Sequence, residues 1–346
     1  MKKSLIALAV AGAFAAPAFA ASSNVDFYGQ FRVSVDHLNN SIGWGMNDET
    51  SRIGFKGAED LGGGLKAIYQ WESGFNAGTN GNLSAGTTAA AAGVGGLGAQ
   101  RDTFVGLSGD FGTVVAGRHD TPYKMAGSAD LFADTLADAQ NGGTRCIICE
   151  DNRVANAIAY VSPDMSGLSI VGAIVPGNFT NNTTTTKSLN GLSDAYSLAG
   201  MYNNGPMKVT AGYENLGNVV SNIAGASSQN AWKLNGAYTI GDLKLGATYE
   251  KISNVAGVSA NSQTDYLLSA AYGMGPITLA AQYGKKNPSG NANNTTDTTV
   301  GVVYGLSKRT STYVGYAHYS VDSGINLTGT AGQALNALTM GMNHSF

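Results

Sequence analysis

The sequence predicts an all-β fold: a 16-stranded antiparallel transmembrane β-barrel with a short helix in its third long loop. Three observations carry that expectation. Apolar and polar residues alternate with period two through segment after segment. The connections between those segments are short and long in turn. Beyond the N-terminus, no stretch approaches the roughly 18 continuous apolar residues of a membrane helix.

The chain opens with Lys2 and Lys3, runs apolar over residues 5–16 and ends that run on Ala18-Phe19-Ala20. This is the three-part pattern of a secretory signal peptide, with cleavage after Ala20. The apolar run falls short of the roughly 20 residues a spanning helix needs, so residues 1–20 stand apart and residues 21–346 form one domain. Removing Lys2 and Lys3 leaves 18 basic against 23 acidic residues, a net charge of −5. No basic excess points to nucleic acid. With 48 Gly, 16 Tyr, 7 Pro and only 12% charged residues, the exported chain is a secreted β protein or a transmembrane barrel. A helical membrane protein would need spans that are missing.

The first strand, residues 25–37, sets Val25, Phe27, Gly29, Phe31, Val33 and Val35 on one face and Asp26, Tyr28, Gln30, Arg32, Ser34 and Asp36 on the other. That division suits a sandwich or a lipid-facing wall equally. Further strands are expected at 50–57, 65–73, 100–108, 112–118, 152–162, 167–175, 195–204, 206–214, 230–240, 243–252, 263–273, 276–285, 297–305, 311–320 and 336–346. Many have the 9 to 11 residues that cross a bilayer as a tilted strand. Every second connection is a tight turn, as around Gly205, at Gly241-Asp242, before Pro276 and at residues 307–310. Between these lie long polar loops, including 74–99, 119–151, 176–194 and 322–335. Short turns on one rim and long loops on the other select the barrel, whose closure removes the unpaired edges a bilayer forbids.

The third long loop contains a different period. In residues 127–138, "GSADLFADTLAD", Asp130, Asp134 and Asp138 recur every four positions. The spacing predicts one acidic helical face, with Ala129, Phe132, Ala133 and Leu136 opposite. Taken alone, this is the solvated face of a surface helix, and the chain's arginines are rim residues in weak exposed ion pairs. The loop also holds both cysteines, in "CIIC". Cys146 and Cys149 could be a redox pair, half a metal site or a local disulfide. No adjacent His or further Cys supports zinc, and no thioredoxin-like βαβ setting supports a catalytic dithiol. The favoured reading is a local disulfide at the base of the loop, with no metal and no cofactor. The dispersed His37, His119, His318 and His344, and the absence of nucleophile-elbow or phosphate-loop motifs, give no positive case for an enzyme.

Several stretches together resemble the general porins of Gram-negative outer membranes. "VDFYGQFRVSV" is similar to their first strand, "SRIGFKGAEDLGGGLKAIYQWE" to the second and third, "RDTFVGL" and "VVAGRHD" to the fourth and fifth, and "NRVANAIAYVSP" to the strand after the constriction loop. The signal peptide with "SSNVDFYG" is most like the betaproteobacterial type. The resemblance implies a passive diffusion channel, a homotrimer of water-filled barrels set in outer-membrane lipid and lipopolysaccharide. Phe346 would be the signal read by the outer-membrane assembly machinery.

It also implies that the loop at about 119–151 folds inward and narrows the passage. Asp130 and Asp134, with Asp138 beside them, then face a basic wall of Arg52, Arg101 and Arg153, with Arg32 and Arg118 as further inward residues. Such opposed charges in a low-dielectric passage filter ions and small hydrophilic solutes by size and charge. The wall arginines tilt the expectation toward anions. Three other readings differ in kind: a solute-specific channel with inward tyrosines such as Tyr28, a smaller-barrel hydrolase with a lipid-facing Ser/His site, and a surface adhesin with long loops.

Overall fold

The computed structural model describes residues 25–40, 42–77, 101–140, 145–177, 191–217, 227–289, 294–322 and 332–346. The expected signal peptide lies outside them. The strands are β1 (Val25–Leu38), β2 (Gly43–Asp48), β3 (Arg52–Gly62), β4 (Leu65–Gly74), β5 (Thr103–Gly109) and β6 (Gly112–Asp120). A four-residue helix, α1 (Pro122–Met125), precedes β7 (Arg153–Val161), β8 (Leu168–Val175), β9 (Ala195–Asn204), β10 (Met207–Asn215) and β11 (Asn230–Ile240). The series ends with β12 (Leu243–Ser253), β13 (Ser262–Met274), β14 (Ile277–Pro288), β15 (Thr295–Gly305), β16 (Thr310–Val321) and β17 (Leu335–Ser345).

Each stave pairs antiparallel with the next, and β1 meets β17 with Gln30 opposite Ser345 and Leu38 opposite Ala337. The barrel is closed. Its seventeen strands form sixteen staves, because β2 and β3 share one. The outer half of β1 pairs with β2 from Val33 opposite Asp48 to Leu38 opposite Gly43, while its inner half pairs with β3 from Val25 opposite Gly57 to Gln30 opposite Arg52. The sequence predicts no strand at residues 43–48, yet they form β2. The stave breaks at Glu49, Thr50 and Ser51, where Thr50 takes a φ of 64° and Ser51 Oγ accepts the Arg32 amide at 3.0 Å.

Seven short connections lie on one rim, among them Gly241-Asp242 and Gly275-Pro276. Gly241 and Gly275 have φ of 60° and 61°, the left-handed conformation that two-residue hairpins place at their first position. Phe346 extends the closure, exchanging two backbone hydrogen bonds of 3.2 and 3.1 Å with Gly29.

Alternation sorts the faces. Phe27, Val105, Leu198, Leu234, Leu268, Val300 and Val314 all project outward and are exposed, an apolar belt far larger than a water-soluble monomer tolerates. Aromatic residues bracket it, with Trp232, Tyr249 and Tyr266 in contact toward the long-loop rim and Tyr238, Tyr272 and Tyr304 toward the turn rim. The inner positions are largely polar, as Thr210, Asn235, Thr248, Gln282 and Thr299 illustrate. No helix among the described residues is long and apolar enough to cross a membrane; strands do the crossing.

The two faces predict unlike costs. Leu268→Arg, mid-strand on the belt, should destabilise the barrel by about 2–4 kcal/mol, whereas Thr299→Ser on the inner face should leave stability nearly unchanged. Urea unfolding in lipid vesicles, followed by loss of the folded band on unheated gels, measures both.

Candidate functional site

The chain leaves β6 at Asp120, returns at Arg153, and between them runs across the barrel's inner wall. Thr121 caps α1 by accepting the Lys124 amide, with Pro122 at the first helical position. The loop is then fastened stave by stave. The Tyr123 amide donates to Ser197 Oγ of β9 at 2.9 Å, Thr210 of β10 donates to the Ala126 carbonyl, and the Ala129 amide donates to Thr248 of β12 at 2.7 Å. Gln282 of β14 accepts from the Leu131 amide at 3.2 Å and donates to the Ala137 carbonyl at 3.3 Å. Inward glycines let the loop lie close. A Cβ on Gly212, Gly246, Gly301 or Gly284 would press on Tyr123, Ala129, Phe132 or Ile147 respectively. Phe132 is buried with Tyr319, Leu335 and Ala337, and Leu136 packs on the same cluster.

The helix expected over residues 127–138 is not formed; α1 lies just upstream, and the stretch is a chain of turns. The aspartates themselves divert the backbone. Asp130 accepts the amides of Phe132 and Ala139 at 2.8 and 2.9 Å, and Asp138 accepts those of Asp134 and Gln140 at 2.7 and 2.6 Å. Short carboxylates that capture nearby amides compete directly with helical hydrogen bonds. Asp134 itself is left-handed, with φ of 57°.

The three aspartates therefore have different environments. Asp130 and Asp138, expected against the arginine wall, are buried at 8% and 6% exposure and accept amides of the loop itself. Asp134 contacts the wall arginines. Its Oδ2 lies 3.2 Å from Arg32 and 3.4 Å from Arg52, and the second terminal nitrogen of Arg32 donates to the Ala133 and Asp134 carbonyls at 3.0 Å. Titration follows geometry. Burial and the adjacent Asp138 raise Asp130 well above the usual carboxylate range, and burial with the Asp134 charge raises Asp138 to about 6. Burial opposes ionisation of Asp134 too, but Arg32, Arg52 and Arg101 outweigh it and hold its carboxyl below the ordinary value.

The remaining arginines do not oppose the loop aspartates directly. Arg101, just before β5, bonds Glu72 of β4, which also accepts from Tyr28 at 3.0 Å. Arg153 contacts Asp102 at 2.6 Å and Asp120 at 2.8 Å. Arg118 sits at the register shift between Gly117 and His119, among the charges of Arg153, Asp102 and Asp120. Lys124 joins this group through Asp120 at 3.5 Å and Asp151 at 3.1 Å. Glu72, Asp102, Asp120 and Lys124 escaped the sequence reading.

So did a second cluster under the loop base. Lys233 of β11 is fully buried, with its ammonium 4.3 Å from the centre of the Tyr123 ring. Glu250 of β12 accepts from the Tyr123 hydroxyl at 2.8 Å and the Cys149 amide at 3.0 Å, and Asn152 bridges Glu150 and Glu214 at 2.8 and 2.7 Å. The signal was present: Glu214, Lys233, Glu250, Asp265, Lys286 and Asp297 place one inward charge on each of β10 to β15. Cys146 and Cys149 are joined by a disulfide in the structure. No group of three or more potential metal ligands occurs among the described residues.

A closed barrel with an apolar outer belt, a polar interior and a loop drawn across its lumen defines a transmembrane barrel of the bacterial outer membrane. The family profile of the Gram-negative porin matches residues 7–324, and the chain belongs to that family. It is 33% identical over 187 residues to the major outer membrane protein P.IB of Neisseria gonorrhoeae, covering 49% of this chain and 47% of that protein. It is 36% identical over 182 residues to the outer membrane porin protein 32 of Delftia acidovorans, covering 49% and 48%. These alignments span about half the length of the curated relatives. The fold superposes on the anion-selective porin from Comamonas acidovorans with a TM-score of 0.74 at 24% identity, over 94% of this chain and all of that one.

Two outcomes test this construction. Asp130→Ala strands two amides and Gly301→Val crowds Phe132; each should loosen the loop by about 1–3 kcal/mol, seen as faster hydrogen exchange over residues 130–139 with the staves unchanged. The pH response has a defined sign. Asp130 and Asp138 bind protons more tightly folded than unfolded, so loop protection, corrected for intrinsic exchange, should rise as pH falls from 7 toward 5. Asp134 has the opposite shift. Its stabilisation is present above its unfolded value near 4 and should be lost as pH falls below that.

Proposed function

We propose that this chain is a passive outer-membrane diffusion channel for ions and small hydrophilic solutes, narrowed where the third loop meets Arg32 and Arg52. The observation that carries the reading is the shared carboxylate: two guanidiniums contact Asp134, at 3.2 and 3.4 Å. Arg101 with Glu72, and Arg153 with Asp102 and Asp120, are matched by acids of the wall itself. Contact pairing at Asp134 thus leaves one positive charge in excess, which supports a mild preference for anions; the related solved structure is described as anion-selective. Low-dielectric walls strengthen such a field.

The same reading includes a homotrimer in lipid and lipopolysaccharide, recognised by the outer-membrane assembly machinery through Phe346, and no enzymatic role. The hydrolase alternative called for fewer staves than sixteen. The solute-specific alternative relied on Tyr28, whose hydroxyl is committed to Glu72.

Reversal potentials across a salt gradient in planar bilayers provide the test. One charge at contact distance is worth about 1 kcal/mol in water, roughly fivefold in a permeability ratio. Asp134→Asn should raise anion preference by about that factor, and Arg52→Gln should lower it. Unchanged selectivity in both variants would refute this constriction.

A further inference from the structure

The "CIIC" motif is not used by permeation. Its setting gives it chemistry of its own. A disulfide that closes so short a loop restricts the unfolded chain little, so its persistence depends on local surroundings. The backbone on either side is pinned independently of the sulfurs. The Ile147 and Ile148 amides both donate to the Ala139 carbonyl, at 2.7 and 3.0 Å, and the Cys149 amide donates to Glu250 at 3.0 Å. Both isoleucines are fully buried, Ile147 directly against Gly284 of β14. The S–S bond can open without releasing the loop base.

Two residues beyond Gly284, Lys286 brings its ammonium to 3.9 Å from Cys146 Sγ and 3.7 Å from Cys149 Sγ. Asp265 stands opposite Lys286 on the neighbouring stave and acts on it electrostatically at a distance. A neutral disulfide offers a cation little. A thiolate offers a full negative charge, and a neighbouring ammonium favours that state. The two residues also differ in exposure: Cys146 is buried at 8%, whereas Cys149 is half-buried.

We propose that Cys146–Cys149 is a thiol-exchange site for small-molecule thiols of the glutathione class, modified on Cys149, with Lys286 stabilising the leaving sulfur. The incoming thiol loses its proton to water and its thiolate bonds to Cys149 Sγ. The Cys146–Cys149 bond breaks, and its electron pair stays on Cys146 Sγ as a thiolate beside Lys286. The small thiol is oxidised to the level of a mixed disulfide, Cys146 is reduced, and no further oxidant is required. Leaving-group stabilisation speeds such exchange. Because the loop base stays pinned, the attached group projects from a fixed point on the loop and obstructs the passage. The covalent step does not rest on the channel reading; only the effect on current does.

The test uses the full chain in lipid vesicles, treated with reduced glutathione, quenched with acid, alkylated and mapped by peptide mass. The expected product carries glutathione on Cys149 and an alkylated Cys146. Lys286→Gln should slow its formation about tenfold, and Lys286→Arg, which keeps the cation, should restore most of the rate. In planar bilayers, glutathione should lower wild-type single-channel current in steps that a strong dithiol reverses, and should leave the Cys146→Ser, Cys149→Ser double variant unaffected. Adduct found mainly on Cys146, no adduct where the urea-unfolded chain reacts, or equal rates for wild type and Lys286→Gln would overturn the site. Adduct on Cys149 without a current step would overturn the obstruction and leave the channel reading intact.

Discussion

In hydrocarbon, every backbone amide and carbonyl must find its partner within the protein, and the rest of this structure depends on that constraint. A sheet satisfies it only by closing, so β1 meets β17 and Phe346 exchanges two further hydrogen bonds with Gly29. Closure in turn imposes two environments on alternate residues. Lipid receives Phe27, Val105 and Leu268, while water in the lumen meets the threonines, amides and charges. The one broken stave respects the rule. Between β2 and β3 the Arg32 amide donates to Ser51 Oγ and the Arg32 carbonyl accepts from the Glu49 amide at 2.9 Å, so the gap leaves neither group stranded.

A loop placed inside such a barrel meets a second demand. It must dock on a wall that is polar because it was built for water. The structure divides the task. Inward glycines at 212, 246, 284 and 301 give up side-chain volume for close approach, and Ser197, Thr210, Thr248 and Gln282 bond the loop's backbone. Apolar contact is confined to small islands around Tyr123, Ala129 with Ile147 and Ile148, and Phe132. Carboxylates buried at the loop base are bonded by amides or the Tyr123 hydroxyl, as buried polar groups require.

Whatever the membrane dictates was legible in the sequence. Alternation in "VDFYGQFRVSV", paired with short turns such as Gly241-Asp242, is a direct consequence of spanning and closing. The loop was less legible because its conformation answers to the wall. Period four at Asp130, Asp134 and Asp138 reads as a helix until each carboxylate finds a nearby amide. Residues 43–48 are strand because β1 needs a partner there, not because "GWGMND" alternates. Alternation and motif name arginines at 32, 52, 101 and 153 as candidates, but the partners of Arg101 and Arg153 at Glu72, Asp102 and Asp120 depend on which staves adjoin. Parity did carry one signal that was missed: an inward charge on each stave from β10 to β15 marks the wall that receives the loop base.

Three aspartates on one short loop illustrate how little residue type decides. Two are buried, bonded to amides and raised in pKa, so their work is conformational. The third is drawn out by a left-handed turn and held ionised by three guanidiniums. The assignments depend on each other. Asp138 accepts the Asp134 amide, so the buried carboxylate sets the turn that presents the half-buried one, and Arg32 completes it by bonding the Ala133 and Asp134 carbonyls. The field at the narrow point is therefore a property of the loop's internal hydrogen bonds as much as of the charges that face the water. Altering a buried aspartate would move Asp134, and with it the charge that two arginines share.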